Sequence, residues 1–109
     1  MNRLLESYSI KIITNWLKLN GFNEYEAIER SVFLSTRIIV KLNKEYEISI
    51  ETDPMCCRNS FAETAILQDG ALVKKLGYED VMRHDTPEEL FGHLQWCRRQ
   101  IDEGKTDDC

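Results

Sequence analysis

The sequence lacks any long apolar run, and its longest uninterrupted stretches are only a few residues, such as residues 38–40. A helix that crosses a bilayer needs about 18 apolar residues. The charges of Glu6 and Lys11 also interrupt the first apolar stretch before it reaches the length of a secretion signal. We therefore expect no membrane segment and a cytoplasmic location, in which the 4 cysteines stay reduced.

Glycine is scarce and scattered, and no motif is typical of an enzyme. The 5 glycines do not cluster into a loop that could hold a phosphate group, and the 4 cysteines include no Cys-x-x-Cys pair. No spacing of nucleophile, base and orienting group indicates a catalytic site. The sequence therefore predicts a protein that is not an enzyme and has no cofactor.

Basic residues are fewer than acidic residues, 14 against 19, which gives a formal net charge of -5. This balance disfavours attraction to the phosphates of nucleic acid or to anionic lipid. We therefore expect a protein partner rather than direct contact with nucleic acid or a membrane. The remaining composition, 42% hydrophobic and 30% charged, is that of a globular chain, and 109 residues suffice for one hydrophobic core.

The first element is predicted to be a helix over residues 4–19, because apolar residues recur there at steps of three and four. The Asn-Gly pair at residues 20–21 favours the turn that ends a helix, and Phe22 can fold back onto the last turn. Ile10 and Leu17 fall on the side opposite the expected buried stripe, and this second apolar face would allow a homodimer. The expected stripe consists of Leu5, Tyr8, Ile12, Trp16 and Leu19.

Residues 23–29 are ambiguous, because Asn23 and Glu26 can form a capping box for one helical turn, whereas the stretch soon becomes β-branched and aromatic. We interpret it as a loop before a β-hairpin. Residues 31–42 and 46–51 have the pattern of two strands. A three-residue loop over residues 43–45 places apolar residues opposite each other and pairs charges of opposite sign. The predicted cross-strand pairs are Leu42 with Tyr46, Val40 with Ile48, Ile38 with Ile50, Lys41 with Glu47 and Arg37 with Glu51.

A second hairpin is predicted beyond a loop over residues 53–60. Its strands are residues 61–67 and 71–76, and the Asp-Gly pair between them is a strong turn signal. Residues 79–84 have the pattern of a short last strand. The second hairpin and this strand therefore extend the same antiparallel sheet.

A C-terminal helix is predicted to start at Thr86, which is followed by proline at the first helical position and glutamate at the third. The order of elements predicts an α+β fold, α-β-β-β-β-α, with both helices on one face of a sheet of four or five antiparallel strands. We expect one domain over residues 1–109, with a frayed acidic tail at about residues 102–109. The predicted buried stripe of this helix is Leu90, Leu94, Cys97 and Ile101.

His93 and Cys97 lie four residues apart on this helix and can in principle bind zinc together with Cys56 and Cys57. The alternative is structural, because a free cysteine in a buried stripe acts as a small apolar residue. A nucleophilic pair of Cys57 or Cys97 with His84 or His93 would also need an orienting group, which the sequence does not identify. We expect no bound metal, and keep a metal- or thiol-dependent protein as an alternative function.

Five carboxylates are concentrated in residues 79–89, with Arg83 as their only basic neighbour. This acidic segment suits a basic groove on another protein, including one that normally holds nucleic acid. The alternative is an ordinary solvated surface. The candidate partner-binding residues are Glu79, Asp80, Asp85, Glu88 and Glu89 in the acidic segment, and Arg37, Lys41, Glu47 and Glu51 on the exposed face of the sheet.

Four short stretches mark the last half of the chain: ETAI at residues 63–66, DG at 69–70, LGYEDV at 76–81 and TPEEL at 86–90. This half resembles small uncharacterised accessory proteins of tailed phages and mobile elements. The resemblance implies a dispensable protein that acts inside a bacterium by binding and blocking a host factor. The leading hypothesis is a stoichiometric inhibitor of a nucleic-acid-handling or antiviral defence complex, such as an anti-CRISPR. A structural or regulatory subunit of a larger assembly is a further alternative.

Overall fold

A computed structural model of the chain describes residues 2–30, 35–52 and 61–105. These residues have the α+β fold predicted from the sequence, with two helices and an antiparallel sheet of six strands. The helices are α1 (Asn2–Leu19) and α2 (Pro87–Asp102). The strands are β1 (Tyr25–Arg30), β2 (Ser35–Lys41), β3 (Tyr46–Thr52), β4 (Ala62–Gln68), β5 (Ala71–Leu72) and β6 (Met82–His84).

The strands follow one another in the order β1-β2-β3-β4-β5, and β6 pairs with the edge of β4 that β5 also uses. The prediction of a loop over residues 23–29 is wrong. Residues 25–30 form β1, because pairing with β2 overrides their weak local pattern. At the other edge, β5 and β6 are shorter than the predicted strands over residues 71–76 and 79–84.

The predicted register of the first hairpin is confirmed. Val40 lies opposite Ile48 and Ile38 opposite Ile50, and the two predicted charged pairs are also in register. The N–H group of Leu42 donates to the carbonyl of Tyr46 at 2.9 Å, which closes the three-residue loop. The loop is stabilised by Asn43, whose side-chain oxygen accepts from the N–H groups of the two residues that end the loop and begin β3.

Helix α1 ends as predicted but turns a different side to the core. The N–H group of Phe22 donates to the carbonyl of Leu17 at 2.9 Å, and Gly21 has a φ of 80°, in the left-handed region. Among the described side chains of α1, Ile13 and Leu17 are completely buried, whereas Leu19 is 85% exposed. The prediction of a buried stripe that ends at Leu19 is therefore wrong. The sheet packs against a neighbouring stripe of equal spacing, which includes Ile13 and Leu17. Leu17 is not available for a homodimer contact.

Helix α2 begins as predicted. The hydroxyl oxygen of Thr86 accepts from the N–H group of Glu89 at 3.1 Å, and Pro87 occupies the first turn. Arg98 connects α2 to the end of α1 by hydrogen bonds. Its guanidinium donates to the carbonyls of Asn20 and Gly21 at 2.7 and 2.6 Å. These carbonyls follow the end of a helix and need donors from outside it. The buried α2 residues are Leu90, Leu94 and Cys97.

One core joins both helices to one face of the sheet. The side chains that face the helices come from alternate positions of the central strands, as the period of a half-covered strand requires. They include Ile38, Val40, Ile48, Ile50, Ala62 and Ile66. The intervening side chains point to the other face, where neither described helix packs. We refer to this second surface as the open face.

Some predictions lie outside the described residues. These are the first part of the strand predicted from residue 31, the loop at residues 53–60 with Cys56 and Cys57, and the end of the tail at residues 106–109.

Candidate functional site

The open face carries the four sheet residues that were predicted to bind a partner. Arg37 and Lys41 lie on β2, and Glu47 and Glu51 lie opposite them on β3. The guanidinium of Arg37 is 3.6 Å from the Glu51 carboxylate. The Lys41 ammonium lies 3.7 Å from the carboxylate of Glu24. The structure therefore brings these residues onto one surface, as the register predicts.

A groove of about 250 Å³ crosses the open face between β3, β4 and the edge formed by β5 and β6. The small side chains of Ser49 and Ala65 lie opposite each other in the sheet and line the groove, where they leave room between larger neighbours. Leu72 and Val81 line it as well and are 57% and 52% exposed. The groove therefore offers apolar surface to a ligand or partner.

Four charged residues form a row across the open face, beside these apolar residues. Arg37 pairs with Glu51, and Glu63 pairs with Arg83, whose Nε lies 2.8 Å from the Glu63 carboxylate. Glu51 and Glu63 lie directly opposite each other in the β3–β4 register. Three of the four, Arg37, Glu51 and Glu63, line the groove. The row runs positive, negative, negative, positive, so the carboxylates meet at its centre.

The acidic segment starts next to this groove, because Val81 is both part of the segment and part of the lining. All five predicted carboxylates of the segment are exposed. Its one arginine, Arg83, is held by Glu63 outside the segment. The Glu89 carboxylate accepts from the N–H group of Asp85 at 2.8 Å and so fixes the start of α2. The start of the acidic segment and the groove therefore form one surface with excess negative charge.

A buried polar cluster lies on the other side of β4. It brings together three candidate residues of the sequence, His84, His93 and Cys97, with Thr64 and Tyr78, which were not candidates. The hydroxyl oxygen of Thr64 is 2.5 Å from that of Tyr78 and 2.8 Å from Nε2 of His84. The Tyr78 hydroxyl is 2.5 Å from Nε2 of His93, and the same Nε2 is 3.4 Å from Sγ of Cys97. The two imidazole rings are 4.9 Å apart, centre to centre. These five side chains, from β4, β6, α2 and the connection before β6, form one connected network.

Burial keeps the members of this cluster uncharged at neutral pH. It lowers the pKa of His93 from 6.5 to about 4, and the neighbouring His84 adds to that effect. It also lowers the pKa of His84, although the nearby carboxylates of Glu89 and Asp85 act in the opposite direction. Burial raises the pKa of Tyr78 far above its usual value and that of Cys97 to about 12. The imidazoles are therefore neutral, and the phenol and thiol are protonated.

The cluster bears on the metal- and thiol-dependent alternatives. His93 and Cys97 do approach each other, as their spacing predicts, but His93 Nε2 also contacts the Tyr78 hydroxyl. Within the described ranges, no group of three or more His, Cys, Asp or Glu residues has the geometry to hold a metal ion. Cys97 is completely buried, and a thiol with so high a pKa provides little thiolate for attack on a substrate.

Comparisons with known proteins add no further assignment. No family model, no curated protein and no solved structure matches this chain. Neither described helix combines the length and apolarity that a membrane crossing requires. The candidate site therefore rests on geometry and charge alone.

Several site residues were not candidates in the sequence. Glu63 and Leu67 alternate with core residues of β4, and this period is the signal from which their place on the open face could have been predicted. Leu72 and Val81 gave no such signal, because each comes from a strand end or connection whose position depends on the pairing of β5 and β6 with β4. Their place in the groove follows from the tertiary fold.

Proposed function

We propose that the chain is a stoichiometric protein-binding protein that holds a basic surface of another protein against its groove and acidic segment. The observation that carries this proposal is the groove, where exposed Leu72 and Val81 lie beside the opposed carboxylates of Glu51 and Glu63. Such a surface suits a partner segment with both aliphatic and cationic side chains. Burial of apolar area would supply affinity, and the charges would set orientation and association rate.

The partner that fits this chemistry best is a protein that binds nucleic acid. Such proteins present lysine and arginine side chains in a groove that is complementary to phosphates. The exposed carboxylates of the acidic segment would take the place of those phosphates, and the net charge of -5 would favour the encounter. The chain would then inhibit a nucleic-acid-handling complex by occupying its groove. A CRISPR effector or another bacterial defence complex is the target that we propose.

Affinity capture can test this proposal with the tagged chain and a lysate of bacteria that express a CRISPR effector and other nucleic-acid-binding defence complexes. The double variant Leu72→Ser/Val81→Ser removes apolar side chains from the groove and leaves the core intact. Leu19→Ser is the matched control, because it removes an exposed leucine from α1, on the other side of the sheet. Captured proteins are identified by mass spectrometry, purified and titrated with the chain.

We expect the wild type and the control to form a one-to-one complex with the same basic protein, and the nucleic acid of that protein to displace the chain. The groove variant should bind about tenfold or more weakly, as expected when central apolar contacts are lost. Equal binding by all three chains, or the absence of any stoichiometric complex, would overturn the proposal.

A further inference from the structure

One buried hydroxyl contacts a residue on either side of a short connection, which we call the bridge. The bridge is residues 79–81, which supply two exposed carboxylates and one apolar residue of the groove. The hydroxyl of Thr64 contacts Tyr78, which precedes the bridge, and His84, which belongs to the strand that follows it. Thr64 lies on β4 between Glu63 and Ala65, and all three residues contribute to the lining of the groove. It therefore links the groove, the bridge and the core.

The contacts of the cluster form a series of hydrogen bonds, and the protons that these bonds need can be counted. The series runs from Cys97 Sγ to His93 Nε2, then to the hydroxyls of Tyr78 and Thr64, and ends at His84 Nε2. Each of the four contacts needs one proton, and the thiol and two hydroxyls supply three of them. The fourth proton must come from an imidazole N–H group.

The position of this fourth proton decides which group donates and which accepts in each hydrogen bond of the series. If His84 donates from Nε2 to Thr64, each contact has its own proton, and His93 Nε2 accepts from both Tyr78 and Cys97. If His93 donated instead, a single N–H group would have to serve both Tyr78 and Cys97. The contacts therefore favour a His84 that is protonated on Nε2 and a His93 that is protonated on Nδ1.

We propose that Thr64 is a positioning residue of the binding surface, whose hydroxyl accepts from His84 and donates to Tyr78 and thereby holds residues 79–81 in place. The part of this inference that concerns binding rests on the proposed function. The hydrogen-bonding role of Thr64 is supported by burial, because Thr64 and Tyr78 are each 1% exposed. Without this hydroxyl, the buried Nε2 of His84 would lose its hydrogen-bond partner, and water would not readily take the place of that partner.

Two substitutions at Thr64 test the proposal. Thr64→Val removes the hydroxyl at nearly constant volume, and Thr64→Ser retains it. Long-range proton–nitrogen NMR of the imidazole rings, recorded on the free chain at pH 7.5, reports which ring nitrogen carries the proton. We expect Nε2 protonation of His84 and Nδ1 protonation of His93 in the wild type and in Thr64→Ser, and a changed His84 signal in Thr64→Val.

The second readout is binding to the protein identified by affinity capture. Thr64→Val should bind about tenfold more weakly, the factor that corresponds to one lost buried hydrogen bond, and Thr64→Ser should restore wild-type affinity. If Thr64→Val does not fold, Tyr78→Phe tests the same link, because it removes the other hydroxyl.

Two results would overturn the proposal: a wild-type His84 that carries its proton on Nδ1, or unchanged binding by a folded Thr64→Val variant. The NMR readout needs no partner. A chain that forms no complex would therefore refute the proposed function, while the direction of the network would still be decided.

Discussion

Glu51 and Glu63 lie directly opposite each other on neighbouring strands, with an arginine on the far side of each. Opposed like charges weaken a sheet, and the pairs with Arg37 and Arg83 offset this repulsion. The two carboxylates also lie at the groove, beside exposed apolar side chains. In the proposed function, a cationic side chain of the partner contacts both carboxylates at once.

Neutralising one of these carboxylates should weaken partner binding and leave the stability of the fold nearly unchanged. We expect Glu63→Gln to weaken partner binding about fivefold, because a charged contact is lost. The free energy of unfolding should change by less than about 0.5 kcal/mol, because relief of repulsion offsets the lost surface ion pair. Titration and urea denaturation measure the two effects. Glu45→Gln, in the loop between β2 and β3, is the control and should leave binding unchanged.

Reversing charges in the acidic segment should mainly slow association. The triple variant Glu79→Lys, Asp80→Lys and Glu88→Lys should lower the association rate about tenfold at low salt, and the difference should shrink at high salt as the charges are screened. Stopped-flow or surface binding measurements give the rates. A matched control reverses the same number of charges at Glu45, Asp102 and Glu103, away from the groove. Equal slowing in both variants would indicate an effect of net charge rather than of the segment.

Protonation of His93 should make the fold less stable in acid. Its pKa of about 4 in the folded chain lies below the unfolded value of 6.5, so the unfolded chain binds more protons between these two values. The contribution of His93 is therefore complete above pH 6.5 and is lost as the pH falls towards 4. The difference between the two pKa values sets an upper limit on this loss of stability. We expect a loss of about 2 kcal/mol, below that limit, because solvent screens a ring that is only partly buried.

Urea denaturation at pH 7.5 and 4.5 checks this dependence. The variant His93→Gln should be less stable at both values but should lose about 2 kcal/mol less between them than the wild type does. The same loss in both chains would mean that carboxylates, rather than this imidazole, govern the acid sensitivity.

The Cys97 thiol should be inert in the folded chain. It is completely buried, and its pKa is raised to about 12, so we expect iodoacetamide at pH 8 to modify it only after unfolding. Mass spectrometry of the Cys97 peptide measures this. Cys97→Ala should cost about 1 kcal/mol of stability and retain partner binding. A folded Cys97→Ala variant that no longer binds would instead favour the thiol-dependent alternative.

The parts of the fold that could be predicted are those in which two independent patterns agree. In the first hairpin, apolar alternation and charge pairing select the same register, so Arg37 and Glu51 could be paired from the sequence. At the start of α2, a cap residue, a proline and an acidic residue all indicate Thr86. Agreement of this kind leaves few alternatives.

The parts that could not be predicted depend on tertiary context. Helix α1 has two stripes of equal spacing, and only the position of the sheet decides that Leu17 is buried and Leu19 exposed. β1 carries charged residues with little strand preference and is ordered by its pairing with β2. Thr64 and Tyr78 come from separate elements, so no local pattern links them. His93 and Cys97, four residues apart, were the one local sign of the cluster.

Hydrogen exchange of the chain in complex with its captured partner shows directly whether the groove and the acidic segment form the binding surface. We predict slower exchange in β4, β5 and residues 79–83 on binding, with little change along the outer surfaces of α1 and α2. Protection confined to the helices, with the groove and acidic segment exchanging as in the free chain, would contradict this prediction.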